Sequence, residues 1–205
     1  MKSFFSLMGE QRILPIIQAD TAEQGVNIAK AMADGGLKLV EVVLRSNASI
    51  DALMAIKKEL PDLCVGAGTI INADILEDAL NAGSDFIITP AVTPSLLAKL
   101  AECPVPVAPG VSTTSDIALA AEFGFTEMKL FPASLAGGIP FLNAVSSVFR
   151  QVTFCPTGGI TAANQGDYLA LSNVKAVGGT WVADKNWVKN QEWHKITEAC
   201  KAANI

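Results

Sequence analysis

The chain has 205 residues, half of them hydrophobic and 17% charged, and 15 basic against 20 acidic side chains give a formal net charge of −5. This composition is typical of one well-cored globular domain, and the lack of any basic run argues against nucleic acid or an anionic membrane as a partner. The apolar stretches fall well short of the roughly 20 residues of a membrane helix, and the N-terminus lacks the features of a signal peptide, so we expect a cytoplasmic protein.

Short apolar runs alternate with longer amphipathic segments from Ile13 onward, and this alternation predicts a repeated strand-helix unit. The apolar runs are, in chain order, ILPIIQA, LVEVVLR, CVGAGTI, FIITP, VPVAPG, EMKLFP, VTFCPTGG and VKAVGG, eight in all. Polar residues that can cap a helix follow five of these runs: Asp20, Asn72, Thr93, Thr113 and Thr161. Glycines precede several later strands, as helix C-terminal signals do.

These eight units predict the fold. Runs too apolar to leave a wet face indicate a parallel sheet that is covered on both sides, and eight of them favour closure as an α/β (β/α)8 TIM barrel. We predict one such domain over residues 1–205, with a short helix over about residues 3–10 across its bottom. An open doubly wound sheet is the alternative, but the fingerprint GxGxxG is missing after the first run, which ends in Gln18, Ala19 and Asp20.

The second run places a carboxylate and a guanidinium on one face of a strand. Glu41, Val43 and Arg45 point the same way because side chains alternate with period two. Active sites of such barrels lie at the carboxyl ends of the strands, so an inward-facing Glu41 and Arg45 indicate a functional pair. A structural ion pair between these two residues is the alternative.

The sixth run carries a lysine in mid-strand, Lys129, with Phe131 on the same face. An unpaired buried ammonium is costly, so this lysine needs a reason. Burial would favour the neutral amine, which can attack a ketone and form a Schiff base. A lysine that reaches out to the barrel mouth, or one that pairs with Glu127, is the alternative.

Small and hydroxyl residues end the other strands and leave room and hydrogen bonds for a ligand. They are Gly66, Gly68, Thr69, Thr89, Pro90, Pro109 and Gly110. The last two runs end in Thr157-Gly158-Gly159 and Gly178-Gly179-Thr180. Glycines there, followed by helix N-termini, predict a phosphate site built from backbone N–H groups, with a simple tight turn as the alternative.

Metal-ligating patterns are missing from the sequence. His194 is the single histidine, and Cys64, Cys103, Cys155 and Cys200 are scattered along the chain. This spacing fits neither a zinc motif nor the dense disulfides of a small secreted scaffold. We therefore expect reduced thiols, no metal and no other cofactor.

The strings EVVLR, VGAGT, ITP, MKLFP, CPTGGI and VGGTW resemble motifs of the 2-keto-3-deoxy-6-phosphogluconate (KDPG) aldolase family, which includes 4-hydroxy-2-oxoglutarate (KHG) aldolases. The resemblance runs over nearly the whole chain. It implies a metal-free class I aldolase on a (β/α)8 barrel, usually a homotrimer. The implied substrate is a phosphorylated 2-keto acid, which is cleaved to pyruvate and glyceraldehyde 3-phosphate.

The resemblance also assigns roles to individual residues. It makes Lys129 the Schiff-base lysine and Glu41 the general acid and base, and it implies that Arg45 and Thr69 hold the pyruvyl carboxylate. It also implies roles for seven further residues. Pro90 and Phe131 would form walls of the pocket, and the distal phosphate would bind to Thr157, Gly158, Gly159, Gly179 and Thr180.

Two positions bear on the choice of substrate. Thr180 stands where the family pattern has serine, which keeps the hydroxyl and adds a methyl group. Related phosphogalactonate aldolases are expected to carry arginine at the position of Gln18 and asparagine at that of Arg45. This chain therefore looks like the members of the family that act on the gluconate-derived substrate. The alternatives are an aldolase for another 2-keto-3-deoxy sugar acid, a phosphosugar isomerase or epimerase without a covalent step, and a barrel that binds an anionic metabolite without turnover.

Overall fold

Strands and helices alternate along residues 3–203, the part of the chain that the structure, a computed structural model, describes. The strands are β1 (Ile13–Ile17), β2 (Leu39–Val43), β3 (Cys64–Gly68), β4 (Ile87–Ile88), β5 (Val107–Ala108), β6 (Gly110–Val111), β7 (Glu127–Leu130), β8 (Thr153–Pro156) and β9 (Val177–Gly179). The helices are α1 (Phe4–Met8), α2 (Ala22–Asp34), α3 (Ser49–Glu59), α4 (Ala73–Asn81), α5 (Pro94–Ala101), α6 (Thr114–Glu122), α7 (Gly138–Ser146), α8 (Gln165–Leu169), α9 (Lys185–Lys189) and α10 (Trp193–Ala203). Within this range no helix combines the length and apolarity needed to cross a bilayer.

The strands pair in parallel in two sheets. One has the order β5-β4-β3-β2-β1-β9 and the other the order β6-β7-β8. A parallel α/β fold is therefore confirmed, but the strands form a six-stranded and a three-stranded sheet in place of the one continuous sheet predicted. The division falls in the fifth apolar run, where Pro109, which has no amide proton to donate, separates β5 from β6.

Helix starts follow the predicted capping signals in three of five cases. The side chains of Asn72, Thr93 and Thr113 each accept a hydrogen bond from the third backbone amide of the helix that follows. The prediction was wrong for Asp20, because the Gln24 side chain binds the Asp20 amide and Thr21 caps α2 instead. It was also wrong for Thr161, since α8 begins only after Asn164.

Side chains on the strands alternate between two apolar clusters. Val40, Val42, Met128 and Leu130 pack outward against the helices. Leu39 and Cys155 belong to the inner cluster, which also contains Phe4 and Met8 of α1. Glu41 lies two residues from the inward-facing Leu39 and therefore points inward as well. Lys129 lies between Met128 and Leu130, which point outward, so it also points inward.

Helix α1 lies at the amino ends of the strands, close to the predicted span of residues 3–10. The Phe4 and Phe86 ring centroids lie 5.4 Å apart, and the Phe5 amide donates to Glu127 Oε2 at 3.0 Å. Glu127 begins β7, so these contacts join α1 to the sheet and confirm that a helix covers this end.

Gln11, directly after α1, ties β1 to β2 from a buried position. Its Nε2 donates to the carbonyls of Ile13 at 2.7 Å and Leu39 at 2.8 Å, and its Oε1 accepts from the amides of Lys38 at 2.7 Å and Leu39 at 3.2 Å. One side chain thus satisfies four backbone hydrogen bonds at the closed end of the fold.

Replacing Gln11 with leucine keeps much of the volume and removes all four hydrogen bonds. We expect the free energy of unfolding to fall by about 2–6 kcal/mol, because each of the four hydrogen bonds contributes about 0.5–1.5 kcal/mol. Urea denaturation measures the change. The exposed Gln151→Leu is the matched control and should shift stability by no more than about 0.5 kcal/mol. Equal stability of the two variants would contradict this role for Gln11.

Candidate active site

Two charged side chains meet on the inward faces of β2 and β7. Lys129 Nζ donates to Glu41 Oε1 at 3.2 Å, and the two side chains are 4% and 0% exposed. A buried charge needs a partner, and each of these residues supplies one for the other. The second carboxylate oxygen, Glu41 Oε2, is buried without a hydrogen-bond partner in residues 3–203, so it keeps its capacity to accept a proton or a hydrogen bond.

This pairing differs from both alternatives that the sequence left open. Glu41 does not form an ion pair with Arg45 within residues 3–203, and Lys129 pairs with Glu41 rather than with Glu127. The Lys129 ammonium also lies 5.4 Å from the centroid of the Phe131 ring, within the range of a cation–π contact.

Glycines of β3 make space for the side chains of Glu41 and Phe86. Gly66 lies opposite Glu41 in the strand register, and a Cβ on Gly68 would collide with Glu41 Oε1. A Cβ on Gly66 would collide with the buried ring of Phe86. These two glycines were predicted to leave room for a ligand, but they leave room for protein side chains.

Arg45 is exposed just beyond β2 and is held by one side-chain contact. Its Nε donates to Thr69 Oγ1 at 2.9 Å. Thr69 follows β3 and has φ of 67°, a left-handed conformation that a β-branched residue rarely adopts. Such strain is concentrated at functional sites, and here it accompanies a contact that orients a guanidinium.

A cavity of about 190 Å³ opens at the carboxyl ends of the strands. It brings together most of the predicted site: Arg45, Lys129, Phe131, Thr157, Gly158, Gly159, Gly179 and Thr180. Ile16, Gln18 and Ile160 complete the lining. The two isoleucines were missed because an apolar residue at a strand end carries no chemical signal in the sequence.

Three predicted site residues do not line this cavity. Glu41 is fully buried and touches Lys129 from inside the fold, and Thr69 reaches the cavity only through Arg45. Pro90 follows β4 and is half-buried, and the close approach of its backbone to Gly110 leaves no space for a Cβ there. Its predicted role as a pocket wall therefore has no support in this cavity.

The loop after β8 presents unused amide groups. Gly158 and Gly159 have φ of 95° and 80°, which favour glycine, and their carbonyls accept hydrogen bonds from the Ser134 amide and the Asn164 side chain. By contrast, the amides of Gly158, Gly159 and Ile160 donate to no acceptor in the described part of the chain. Neighbouring N–H groups without partners form a concavity that suits an anion.

Cys155 lies beside Lys129 in the pairing of β7 with β8 and is fully buried. Burial raises the pKa of its thiol to about 12, against a smaller opposing effect of the Lys129 charge and a small reinforcing effect of Glu41. The thiol next to the ion pair is therefore neutral near pH 7 and adds no third charge.

Comparison with known proteins agrees with this geometry. A family model described as KDPG and KHG aldolase matches residues 5–199. A KHG/KDPG aldolase of Escherichia coli K12 is 39% identical over 198 residues, which covers 97% of this chain and 93% of its own length.

Two solved structures share the fold. A KDPG aldolase from Legionella pneumophila, with pyruvate captured at low pH as a covalent carbinolamine intermediate, superposes with a TM-score of 0.95 at 38% identity over 98% of both chains. A 2-keto-3-deoxy-6-phosphogluconate aldolase of Zymomonas mobilis with 3-phosphoglycerate gives a TM-score of 0.89 at 38% identity over 97% of this chain and 93% of its own.

The raised pKa of Cys155 predicts how its reactivity depends on pH. From about pH 7 to the ordinary thiol value of 9.0, iodoacetamide should leave Cys155 unmodified in the folded protein, because the reactive thiolate is absent and the side chain is buried. In urea the same thiol regains an ordinary pKa and should react faster as pH rises through this range. Peptide mass spectrometry measures both rates, and equal labelling of folded and unfolded protein would contradict the assignment.

Proposed function

The chain belongs to the KDPG and KHG aldolase family, and from that premise we propose that it is a class I aldolase acting on a phosphorylated 2-keto-3-deoxy acid. The observation that carries the proposal is the 3.2 Å contact between the buried Lys129 amine and Glu41, next to a cavity at the strand ends. A lysine beside a carboxylate is the pair that Schiff-base chemistry needs.

The reaction begins when Lys129 passes a proton to Glu41 and its neutral amine attacks the C2 ketone. Glu41 gives this proton to the hydroxyl of the carbinolamine, which leaves as water, so that a protonated imine forms and Glu41 is again a carboxylate. The C4 hydroxyl then loses its proton to Glu41 through a water molecule, since Glu41 itself does not line the cavity. The C3–C4 bond breaks, and the electron pair of that bond moves into the imine to form an enamine. The aldehyde leaves, and C3 takes up the proton that Glu41 holds. Water then hydrolyses the protonated imine, which releases pyruvate and restores the Lys129 ammonium and the Glu41 carboxylate.

The two ends of the substrate bind to different groups. Arg45, oriented by Thr69, binds the carboxylate next to the reacting ketone. The free amides of Gly158, Gly159 and Ile160, together with the Thr180 hydroxyl, bind the distal phosphate. The related Zymomonas mobilis aldolase, which was solved with 3-phosphoglycerate, supports a three-carbon phosphate as the leaving half.

The proposal extends to the architecture. The two sheets are parts of one closed (β/α)8 barrel that forms a single domain over residues 1–205. Closure between β8 and β9 is supported by two single bridges, from Phe154 to Val174 and from Thr157 to Gly178. Closure between β5 and β6 is supported by Pro109, whose carbonyl accepts from the Lys129 amide at 2.9 Å. A homotrimer in the cytoplasm stays a prediction.

Turnover requires no metal in this mechanism, because the protonated imine takes up the electrons that a metal-bound enolate would otherwise hold. The test is pyruvate release by EDTA-treated enzyme from KDPG, from its unphosphorylated analogue, from the phosphogalactonate epimer and from KHG. We expect KDPG to have the highest kcat/KM, since binding energy of the distal phosphate can be used in the transition state. Pyruvate from none of the four, or only after metal is restored, would contradict the proposal.

Glu41→Gln separates catalysis from structure. The amide fills the same space but cannot carry protons, so kcat should fall by about 10² to 10⁴-fold, the usual contribution of a positioned acid or base. The matched control is Glu59→Gln, which changes an exposed carboxylate paired with Lys30 and should keep full activity. If Glu41→Gln lowers only the melting temperature and leaves kcat unchanged, Glu41 is a structural partner of Lys129 and not the acid and base.

A further inference from the structure

A second and larger cavity, of about 670 Å³, adjoins the candidate site. Three residues line both cavities: Ile16, Gln18 and Thr180. The smaller cavity, at about 190 Å³, falls below the roughly 300–1,000 Å³ of ordinary small-molecule sites, whereas the larger one falls inside that range. We call the larger one the outer chamber. Because Thr180 borders both cavities, it lies where the outer chamber meets the candidate site.

The segment after β9 forms one side of the outer chamber, and its start is fixed by packing. A Cβ on Gly179 would collide with the ring of Trp181, so the indole packs directly on the end of β9. A 3-10 turn, Trp181–Ala183, follows, and the Asp184 side chain accepts from the Asn186 amide at 2.8 Å to begin α9. These contacts place Lys185, the first residue of α9, in the lining of the outer chamber.

Lys185 is a cation that lines two cavities, one with Thr180 and one with Arg45. It lines the outer chamber and also a neighbouring cavity of about 320 Å³ that Arg45 and Gln18 line. It makes no ion pair and no side-chain hydrogen bond with any residue from 3 to 203. Lys189, by comparison, lines the outer chamber but not the cavity that Arg45 and Gln18 line.

The charge of the substrate leaves a role for this cation. In the proposed mechanism Arg45 pairs with the carboxylate and Lys129 forms the imine, so the phosphate dianion meets only neutral amides and the Thr180 hydroxyl. Asp20 and Asp184 also line the outer chamber and offset Lys185 and Lys189 when no substrate is bound. A dianion at Thr180 therefore adds negative charge that a lysine of the outer chamber can neutralise.

We propose that Lys185 is the cation that binds the distal phosphate of the substrate, reaching it from the outer chamber. This inference rests on the proposed function and adds to it a specificity-determining residue. Its ligand chemistry is a phosphate monoester dianion at the far end of the 2-keto acid.

The experiment compares kcat/KM for KDPG with kcat/KM for its unphosphorylated analogue, in the wild type and in Lys185→Gln. The kcat/KM for KDPG divided by the kcat/KM for the analogue should fall by about two- to fivefold in the variant, the range that one exposed ion pair can supply. The preference for phosphate should also become less sensitive to salt, because screening acts on the charge that was removed.

Two further variants complete the test. Lys175→Gln removes an exposed lysine that lines a different cavity, beside α1, and should leave the ratio unchanged. Lys185→Arg keeps the charge and should keep the preference. A fall in the ratio for Lys185→Gln that is absent in both of these variants supports the proposal.

An unchanged ratio in Lys185→Gln, or an equal loss for both substrates, would overturn the proposal. Borohydride trapping of pyruvate by the wild type and by Lys185→Gln makes the two failures distinguishable. An adduct on Lys129 with an unchanged ratio contradicts the role of Lys185 alone, whereas no adduct in the active wild type contradicts the proposed function.

Discussion

The ion pair between Glu41 and Lys129 is the interaction on which the rest of the structure depends. The two residues are 88 positions apart, and each would be a costly isolated charge if the other were not within 3.2 Å. Their contact therefore requires the inward faces of β2 and β7 to lie opposite each other. It also requires Gly68 on the neighbouring strand, because any side chain there would displace the carboxylate.

Burial divides the site into two zones with different physical properties. Inside, Lys129, Glu41 and the neutral thiol of Cys155 are buried together, and the amine and the carboxylate are in direct contact. Outside, exposed groups such as Arg45 and Thr180 border the cavity where a charged substrate enters. In the proposed mechanism, the charges of the substrate therefore meet solvated partners, while the reacting ketone meets the buried amine.

Much of this arrangement follows from local sequence patterns. Period-two alternation identified Glu41 and Lys129 as inward-facing, because residues beside them had to pack under helices. Which charges pair could not be predicted, since that depends on how strands distant in sequence lie against each other. Three further features could not be predicted from the sequence, because each depends on residues that are distant along the chain. They are the division of the sheets at Pro109, the space that Gly68 leaves for Glu41, and the place of Ile16 in the cavity lining.

The covalent step at Lys129 is the central claim, and borohydride reduction in the presence of pyruvate tests it most directly. Reduction should stop turnover and fix the three-carbon adduct on the peptide that contains Lys129, as peptide mass spectrometry can show. Protein reduced without pyruvate should stay active and unmodified. An adduct on a different lysine, or none in an active preparation, would contradict a Schiff base at this buried pair.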